Sequence, residues 1–272
     1  MVTGGASGIG RALCRRFANE GAATVVVVDR DADGAVATAD GIGDRAIART
    51  ADVTVEADIE AVVDRTETEV GPIDLFASNA GILGYGGIEA TDETWSLVWS
   101  VNVLAHLYAA RAVVPRMLER GEGYLLSTAS AAGLLSQPGD APYSVTKHAA
   151  VALAEWLSIT YGDQGIRVSC ACPMAVDTAM LGGGQQAGEA DDAPAGMSGA
   201  AGAAAVQGIL SPERVAEVVV EGLRDERFLI LPHPEVATFE QRRAADHDRW
   251  LAGMRRLGAT LAAGADPSAP AD

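Results

Sequence analysis

MVTGGASGIGRALCRRFANEGAATVVVVD, residues 1–29, sets out a strand end, a glycine loop, a helix and a second strand in that order. Ile9, Leu13 and Phe17 recur at helical spacing and predict a helix that ends at Gly21. Residues 24–28, Thr-Val-Val-Val-Val, form a β-branched run too apolar for an edge, which predicts a buried parallel strand ending at Asp29. Between them stands Thr3-Gly4, three residues, then Gly8-Ile9-Gly10. The literal G-x-G-x-x-G pattern fails, because Leu13 occupies its third glycine position. Glycines still let the backbone approach a pyrophosphate, and the helix N-terminus offers it free N–H groups and positive dipole. A plain strand–helix turn is the alternative. Asp29 weighs against that, since a carboxylate at the second strand's tip can accept both ribose hydroxyls and repel a 2′-phosphate. NAD is therefore favoured over NADP, although Arg30 beside it could bind such a phosphate. Only Met1 and Val2 precede Thr3, where a central strand needs about five or six residues. A truncated first strand is expected, from a misplaced start or a shortened chain.

The alternation continues. A helix after Asp31 leads to a short strand at residues 46–49 and to Asp52-Val53. Val55, Ile59, Val62 and Val70 mark the next helix, closed by Gly71-Pro72. Residues 73–77 are a strand delivering Ser78-Asn79-Ala80-Gly81. Thr91, with Asp92 and Glu93 in the first turn, caps a long helix through Trp95, Trp99 and Leu107, which Pro115 should kink or break. Further strands are expected at 124–129, 167–171 and 228–231, with a helix at 142–161. This pattern predicts a single-domain, doubly wound parallel sheet of Rossmann type, with ligands at the strands' carboxyl ends.

Tyr143 and Lys147 stand four apart on the 142–161 helix, so their side chains share one face. Lys147 is the only lysine, against 19 arginines. A fixed ammonium favours phenolate over phenol and should lower the tyrosine pKa from about 10. Alone, such a pair is most often a surface coincidence. Ser130 follows a strand, where ligands bind, and Asn102 shares a helix face with Trp95, Trp99 and His106. An Asn on an apolar face needs partners, and a structural Asn bonded to backbone is the simpler reading.

Taken together, these motifs resemble the short-chain dehydrogenase/reductase family over roughly residues 1–235. Thr3-Gly4-x3-Gly8-x-Gly10 resembles its cofactor loop, which implies contacts from Gly4, Ser7, Gly8, Ile9 and Gly10, with Asp29 and Arg30 at the adenosine ribose. Asp52-Val53 is similar to its adenine contact, and Ser78-Asn79-Ala80-Gly81 resembles its Asn-Asn-Ala-Gly segment with Ser first. Pro173-Met174-Ala175-Val176-Asp177-Thr178 resembles its Pro-Gly-x-Val-x-Thr, so Pro173, Val176 and Thr178 are implied at the nicotinamide. Asn102, Ser130, Tyr143 and Lys147 match the family's active-site residues. The resemblance implies an NAD(P)-dependent oxidoreductase in which Tyr143 moves a proton, Ser130 binds the substrate oxygen, Lys147 holds the ribose and Asn102 holds a water. Met174 replaces a glycine and adds bulk near the nicotinamide site; Ala129 replaces a serine, which matters little.

A net charge of −17 and a pI near 4.5 argue against nucleic acid or an anionic membrane as partner. No signal peptide or span is expected, because the apolar runs are strand-length, and a cytoplasmic setting follows. Cys14, Cys170 and Cys172 show no ligand spacing and read as core thiols. His106, His148, His233 and His247 read as structural or surface residues, so no metal is expected. Residues 182–208 hold 8 Gly and 9 Ala without hydrophobic periodicity, and read as a substrate-covering lid within 179–210 or as a disordered insertion. From Glu235 to Leu261 a helical extension with Phe239, Trp250, Leu251, Met254 and Leu257 is expected, and Asp266–Asp272 as a loose tail. The catalytic domain is thus placed at 1–235 and the extension with its tail at 236–272. The expected function is hydride transfer between NAD and a secondary alcohol or ketone. Alternatives are a non-catalytic nucleotide sensor or an epimerase or dehydratase with retained NAD. A homotetramer or homodimer is expected through the helices bearing Asn102 and Tyr143.

Overall fold

Seven parallel strands form one sheet in the order β3-β2-β1-β4-β5-β6-β7. The computed structural model describes residues 1–181 and 208–263. Its strands are β1 (Val2–Thr3), β2 (Val25–Asp29), β3 (Ala46–Thr50), β4 (Leu75–Ser78), β5 (Gly123–Thr128), β6 (Ile166–Ala171) and β7 (Leu229–Ile230). The helices are α1 (Gly8–Asn19), α2 (Ala32–Asp40), α3 (Glu56–Glu69), α4 (Asp92–Trp99), α5 (Ala105–Arg120), α6 (Ala132–Leu135), α7 (Ala141–Tyr161), α8 (Pro212–Arg224), α9 (Glu235–Ala245) and α10 (His247–Ala262).

Alternation along β2 shows why its valine run had to be buried. Val25 and Val27 pack with Leu13, Val2, Ala77 and Val219 on one face, while Val26 and Val28 meet Ile59, Val63 and Phe76 on the other. Helices α1, α2 and α8 therefore cover one side, and α3, α5 and α7 the other. Each fully buried Val, Leu or Ile stabilises the fold by about 1.5–3 kcal/mol relative to exposure. β1 has two residues, yet it lies mid-sheet, with Val2 paired to both Val27 and Ala77. The Ala77 N–H donates to the Met1 carbonyl at 2.9 Å, extending that ladder by one residue.

Three expectations are corrected. Pro115 neither ends nor interrupts α5. Pro115 and Arg111, whose carbonyl loses its i+4 donor, both lie on the exposed side, where water can take the bond. The irregularity falls earlier, in a π-helical turn at Ser100–Leu104. Its wider turn rotates the face, so Asn102 and His106 are buried while Trp99 is 40% exposed and leaves their row. The expected C-terminal helical extension is present as two helices, separated at Asp246, which is extended and caps α10 by accepting from the Arg249 N–H at 3.0 Å.

Counted through the π turn, the helix Asp92–Arg120 is long and apolar enough to cross a membrane, contrary to the expectation of strand-length runs only. It packs against α3, α7 and the sheet, with 61% of its most apolar window buried, as a core helix does. Most of the 182–208 stretch and the tail from Asp266 lie outside the described residues. The stems of the former do meet: the Asp177 N–H donates to the Leu210 carbonyl at 2.9 Å, and the Leu210 N–H to the Ala175 carbonyl at 3.1 Å.

Candidate active site

The strand order reverses between β1 and β4, so a crevice opens beyond their carboxyl ends. Thr3 stitches it: its hydroxyl oxygen accepts from the Asn79 and Ala80 N–H groups at 3.0 and 3.3 Å, and its carbonyl accepts from Asn79 Nδ2 at 3.1 Å. The glycine loop lies against this stitch. A Cβ on Gly10 would stand 2.0 Å from the Gly4 carbonyl oxygen and 2.6 Å from Asn79 Nδ2, so glycine is obligatory there. Beyond the loop α1 begins, with Ser7 at its N-cap but not capping it by side chain. First-turn N–H groups of a helix have no intrahelical acceptor, which suits this terminus to an anion.

Asp29 sits at the tip of β2. One carboxylate oxygen accepts from the Ala6 N–H and the other from the Asp31 N–H, each at 3.0 Å, which ties strand to loop and leaves lone pairs on both oxygens. Arg30 is exposed beside it. Asp52 turns back on its own loop, accepting from the Thr54 N–H and hydroxyl at 2.9 and 2.7 Å, with Val53 partly buried. Pro173, Val176 and Thr178 close the other wall. A Cβ on Gly8 would lie 3.1 Å from Thr178 Cγ2, so this segment touches the glycine loop. Met174 is half-buried, and its N–H donates to His233 Nδ1 at 3.2 Å. These residues fit a dinucleotide: a glycine cradle no side chain could share, free helix amides, and Asn79 Oδ1, buried without a protein partner.

A second cluster adjoins the cradle through Gly81, where a Cβ would meet Lys147 Nζ at 3.2 Å and Asn102 Oδ1 at 3.3 Å. Tyr143 and Lys147 on α7 are both buried, and Nζ lies 5.5 Å from the phenol ring centroid. Nζ donates to the Thr128 carbonyl at the end of β5, at 3.1 Å. Ser130, two residues on, contacts the Tyr143 hydroxyl, and its Oγ accepts from the Ala132 N–H at 3.1 Å. Asn102 is wholly buried in the π turn and grips Ile82: Oδ1 accepts from its N–H and Nδ2 donates to its carbonyl, each at 2.9 Å. Nδ2 also donates to Thr146 Oγ1 at 3.1 Å. The structural role weighed for this Asn is thus present.

The electrostatics correct one expectation. Burial pushes the Tyr143 phenol up to about 12, helped by Asp140 and Cys172, against the lowering effect of the Ser130 hydroxyl. Burial also brings Lys147 down to about 8, which Cys170 and Cys172 partly oppose. Lys147 was expected to pull the phenol down. Burial decides the direction instead, because taking the phenolate out of water is costly. His106, facing Ser127 Oγ at 3.3 Å, is held neutral by burial and by Lys147, with its pKa pushed down to about 3.

Asp140 was not singled out in the sequence, and His233 was read there only as structural or surface. Asp140 caps α7 three residues before Tyr143, and Asp-x-x-Tyr ahead of a helix was a legible capping signal. His233 bridges the Met174 N–H and the Gly208 carbonyl (3.3 Å from Nε2), a long-range pairing with no local signature. Among the described residues no group of His, Cys, Asp and Glu could hold a metal.

Comparison with known proteins places this arrangement. Residues 1–187 match the sequence model of the short chain dehydrogenases. The chain is 38% identical over 242 residues to 1-deoxy-11-beta-hydroxypentalenate dehydrogenase of Streptomyces exfoliatus, covering 86% of this chain and 82% of that one. It is 33% identical to 2-(S)-hydroxypropyl-CoM dehydrogenase 3 of Xanthobacter autotrophicus, over 84% of this chain and 90% of the relative. In structure it resembles a short chain dehydrogenase/reductase from Burkholderia phymatum in complex with NAD, with TM-score 0.81, 26% identity, and coverage of 100% of this chain and 96% of that one.

Proposed function

The chain belongs to the short-chain dehydrogenase/reductase family of oxidoreductases, and we propose that it transfers a hydride between NAD(H) and a secondary alcohol or its ketone. The carrying observation is the convergence of Ser130, Tyr143 and Lys147 in one buried cluster that shares Gly81 with the glycine cradle. Gly4, Ser7, Gly8, Ile9 and Gly10 hold the pyrophosphate, Asp29 the adenosine ribose, and Asp52 and Val53 the adenine. Asn79, Ala80, Gly81, Pro173, Val176 and Thr178 hold the nicotinamide half. The bound dinucleotide supplies hydride acceptance or donation at its nicotinamide ring.

Ser130 Oγ and the Tyr143 hydroxyl hold the substrate oxygen between them. Tyr143 gives that oxygen a proton in reduction and takes one in oxidation. With its pKa pushed up to about 12, the phenol is protonated at neutral pH and so poised as a donor, which favours carbonyl reduction. Lys147 places a positive charge beside the ring and within reach of a ribose hydroxyl, while Asn102 fixes the loop from Ile82. Asp29 at the tip of β2, tied to the glycine loop through the Ala6 N–H, supports NAD over NADP.

The relatives named above are dehydrogenases of hydroxylated substrates, which supports the same class here. Leu97 and Trp99 on α4, with Val145, Trp156 and Ile159 in one stripe on α7, are exposed apolar side chains that support a homo-oligomer through these helices. A panel of secondary alcohols and ketones, followed by NADH absorbance, tests the reaction. Turnover is expected in both directions, faster for ketones near neutral pH. NADH binding without turnover of any member would overturn it in favour of a nucleotide sensor.

A further inference from the structure

A carboxylate hidden from water needs partners, and a buried one beside a proton-transfer group changes that group's chemistry. Asp140 is 2% exposed and precedes Tyr143 by three residues. Its carboxylate accepts three backbone N–H bonds: from Tyr143 at 2.9 Å, from Gly84 at 3.0 Å, and from Tyr85. The first is the N-cap of α7; the other two come from a loop 56 residues away in sequence. Around the carboxylate, the Gly86 N–H donates to the Gly139 carbonyl at 3.2 Å and the Ala141 N–H to the Gly86 carbonyl at 2.9 Å.

The clasped loop is under conformational load. Tyr85 has a φ of 55°, a left-handed value that a non-glycine residue keeps only when its surroundings impose it. Packing is close as well, since a Cβ on Gly84 would stand 2.7 Å from Pro142 Cβ. The same loop begins at Ile82, which Asn102 grips by both its N–H and its carbonyl. Residues 82–87 thus run from the π turn to the start of the Tyr143 helix, held at one end by Asn102 and at the other by Asp140. Gly86, Gln137, Asp140 and Ser144 then line one cleft on this side of the molecule.

We propose that Asp140 is a positioning residue for proton transfer: its carboxylate locks the 82–87 loop to the N-terminus of α7, and so holds the Tyr143 phenol in register with Ser130 and the substrate-side wall. This rests on the proton-transfer role proposed for Tyr143. The clasp has an electrostatic side. The charges and titrating groups around the phenol are Asp140 and Lys147 from its own helix and Cys172 from beyond β6, with the Ser130 hydroxyl opposite. Asp140 opposes the phenolate, so it keeps Tyr143 a proton donor.

Two substitutions separate the functions. Asp140→Ser keeps a helix cap but cannot reach Gly84 and Tyr85. Asp140→Asn keeps the shape, loses the charge and presents an amide NH₂ to N–H groups. Melting temperature and NADH titration establish that each variant is folded and binds cofactor. In Asp140→Ser, amide hydrogen exchange at Gly84 and Tyr85 should accelerate, and kcat for ketone reduction should fall by about tenfold, the equivalent of one mispositioned hydrogen bond. In Asp140→Asn, the tyrosinate absorbance assigned to Tyr143 (by difference from Tyr143→Phe) should titrate at lower pH, and the pH limb of alcohol oxidation should move with it. Wild-type exchange at Gly84 and Tyr85 in Asp140→Ser, or a Tyr143 titration that does not fall in Asp140→Asn, would overturn the proposal. So would a loosened loop with unchanged kcat. Exchange and absorbance need no turnover, so an inactive wild type would sink the reductase reading alone and leave these two readouts to judge the clasp.

Discussion

The cradle at residues 3–10 offers the proposed dinucleotide backbone, while the cluster around Tyr143 offers the proposed substrate side chains. The cradle's chemistry comes from absence: with no Cβ on Gly4, Gly8 or Gly10, the chain can come close and its helix amides stay free. The Tyr143 cluster instead concentrates a phenol, an ammonium and a carboxylate out of water, and burial moves all three from their ordinary values. A backbone site is therefore sensitive to volume and indifferent to pH, and a buried side-chain site is the reverse.

The sharpest way to break that contrast is to remove the phenol oxygen. Tyr143→Phe keeps the ring and its packing, and it should lower kcat by about 10²–10⁴-fold, the range expected for a lost general acid. NADH affinity should change little, since the cradle is untouched. The pH dependence carries the same signature. Below its pKa near 12, the phenolate fraction rises with pH, so wild-type alcohol oxidation should climb from neutral pH upward while ketone reduction, which needs the neutral phenol, does not. Initial rates in both directions across pH check this. An oxidation rate flat above neutral pH would mean that another group takes the proton.

Volume is the lever on the other side. A Cβ on Gly10 would overlap the Gly4 carbonyl oxygen at 2.0 Å, so Gly10→Ala has to displace the loop or the start of α1. NADH Kd, read by fluorescence titration, should rise by roughly ten- to a hundredfold, an effect of about 1.4–2.8 kcal/mol. The Tyr143 titration should stay where it was. A shifted phenol with intact NADH binding would show the two regions to be one electrostatic unit.

The same contrast explains what could be read from the sequence. Glycines 4, 8 and 10, the valine run of β2 and the strand–helix alternation are signals of backbone geometry and burial, and they carry directly into the observed sheet order. Tyr143, Lys147 and Ser130 could be named from the family resemblance that the ordered motifs carry, but the direction of the phenol's shift could not, because it depends on depth and on Asp140 and Cys172. Pro115 misled for a similar reason: its cost depends on whether the freed Arg111 carbonyl faces water, and it lies on the exposed side. Trp99 was put on the Asn102 face by a 3.6-residue period that the π turn at Ser100–Leu104 does not obey. His233 and the 82–87 loop are long-range contacts with no local pattern to read.

Asp29 gives the smallest expected effect and the most direct test of whether charge matters at all in the cradle. Its two oxygens accept from the Ala6 and Asp31 N–H groups, and each keeps a further lone pair. Asp29→Asn retains one acceptor and turns an NH₂ toward a backbone N–H, which should cost about 1 kcal/mol of folding stability. It also removes a negative charge from the site proposed for the adenosine ribose. NADPH, repelled by the carboxylate, should then bind about tenfold tighter relative to NADH than it does to wild type. Paired NADH and NADPH titrations with a denaturant melt separate the two consequences. If the cofactor ratio stays fixed while stability falls, Asp29 acts only as the tie between β2 and the glycine loop, and the cradle's selectivity lies in its shape.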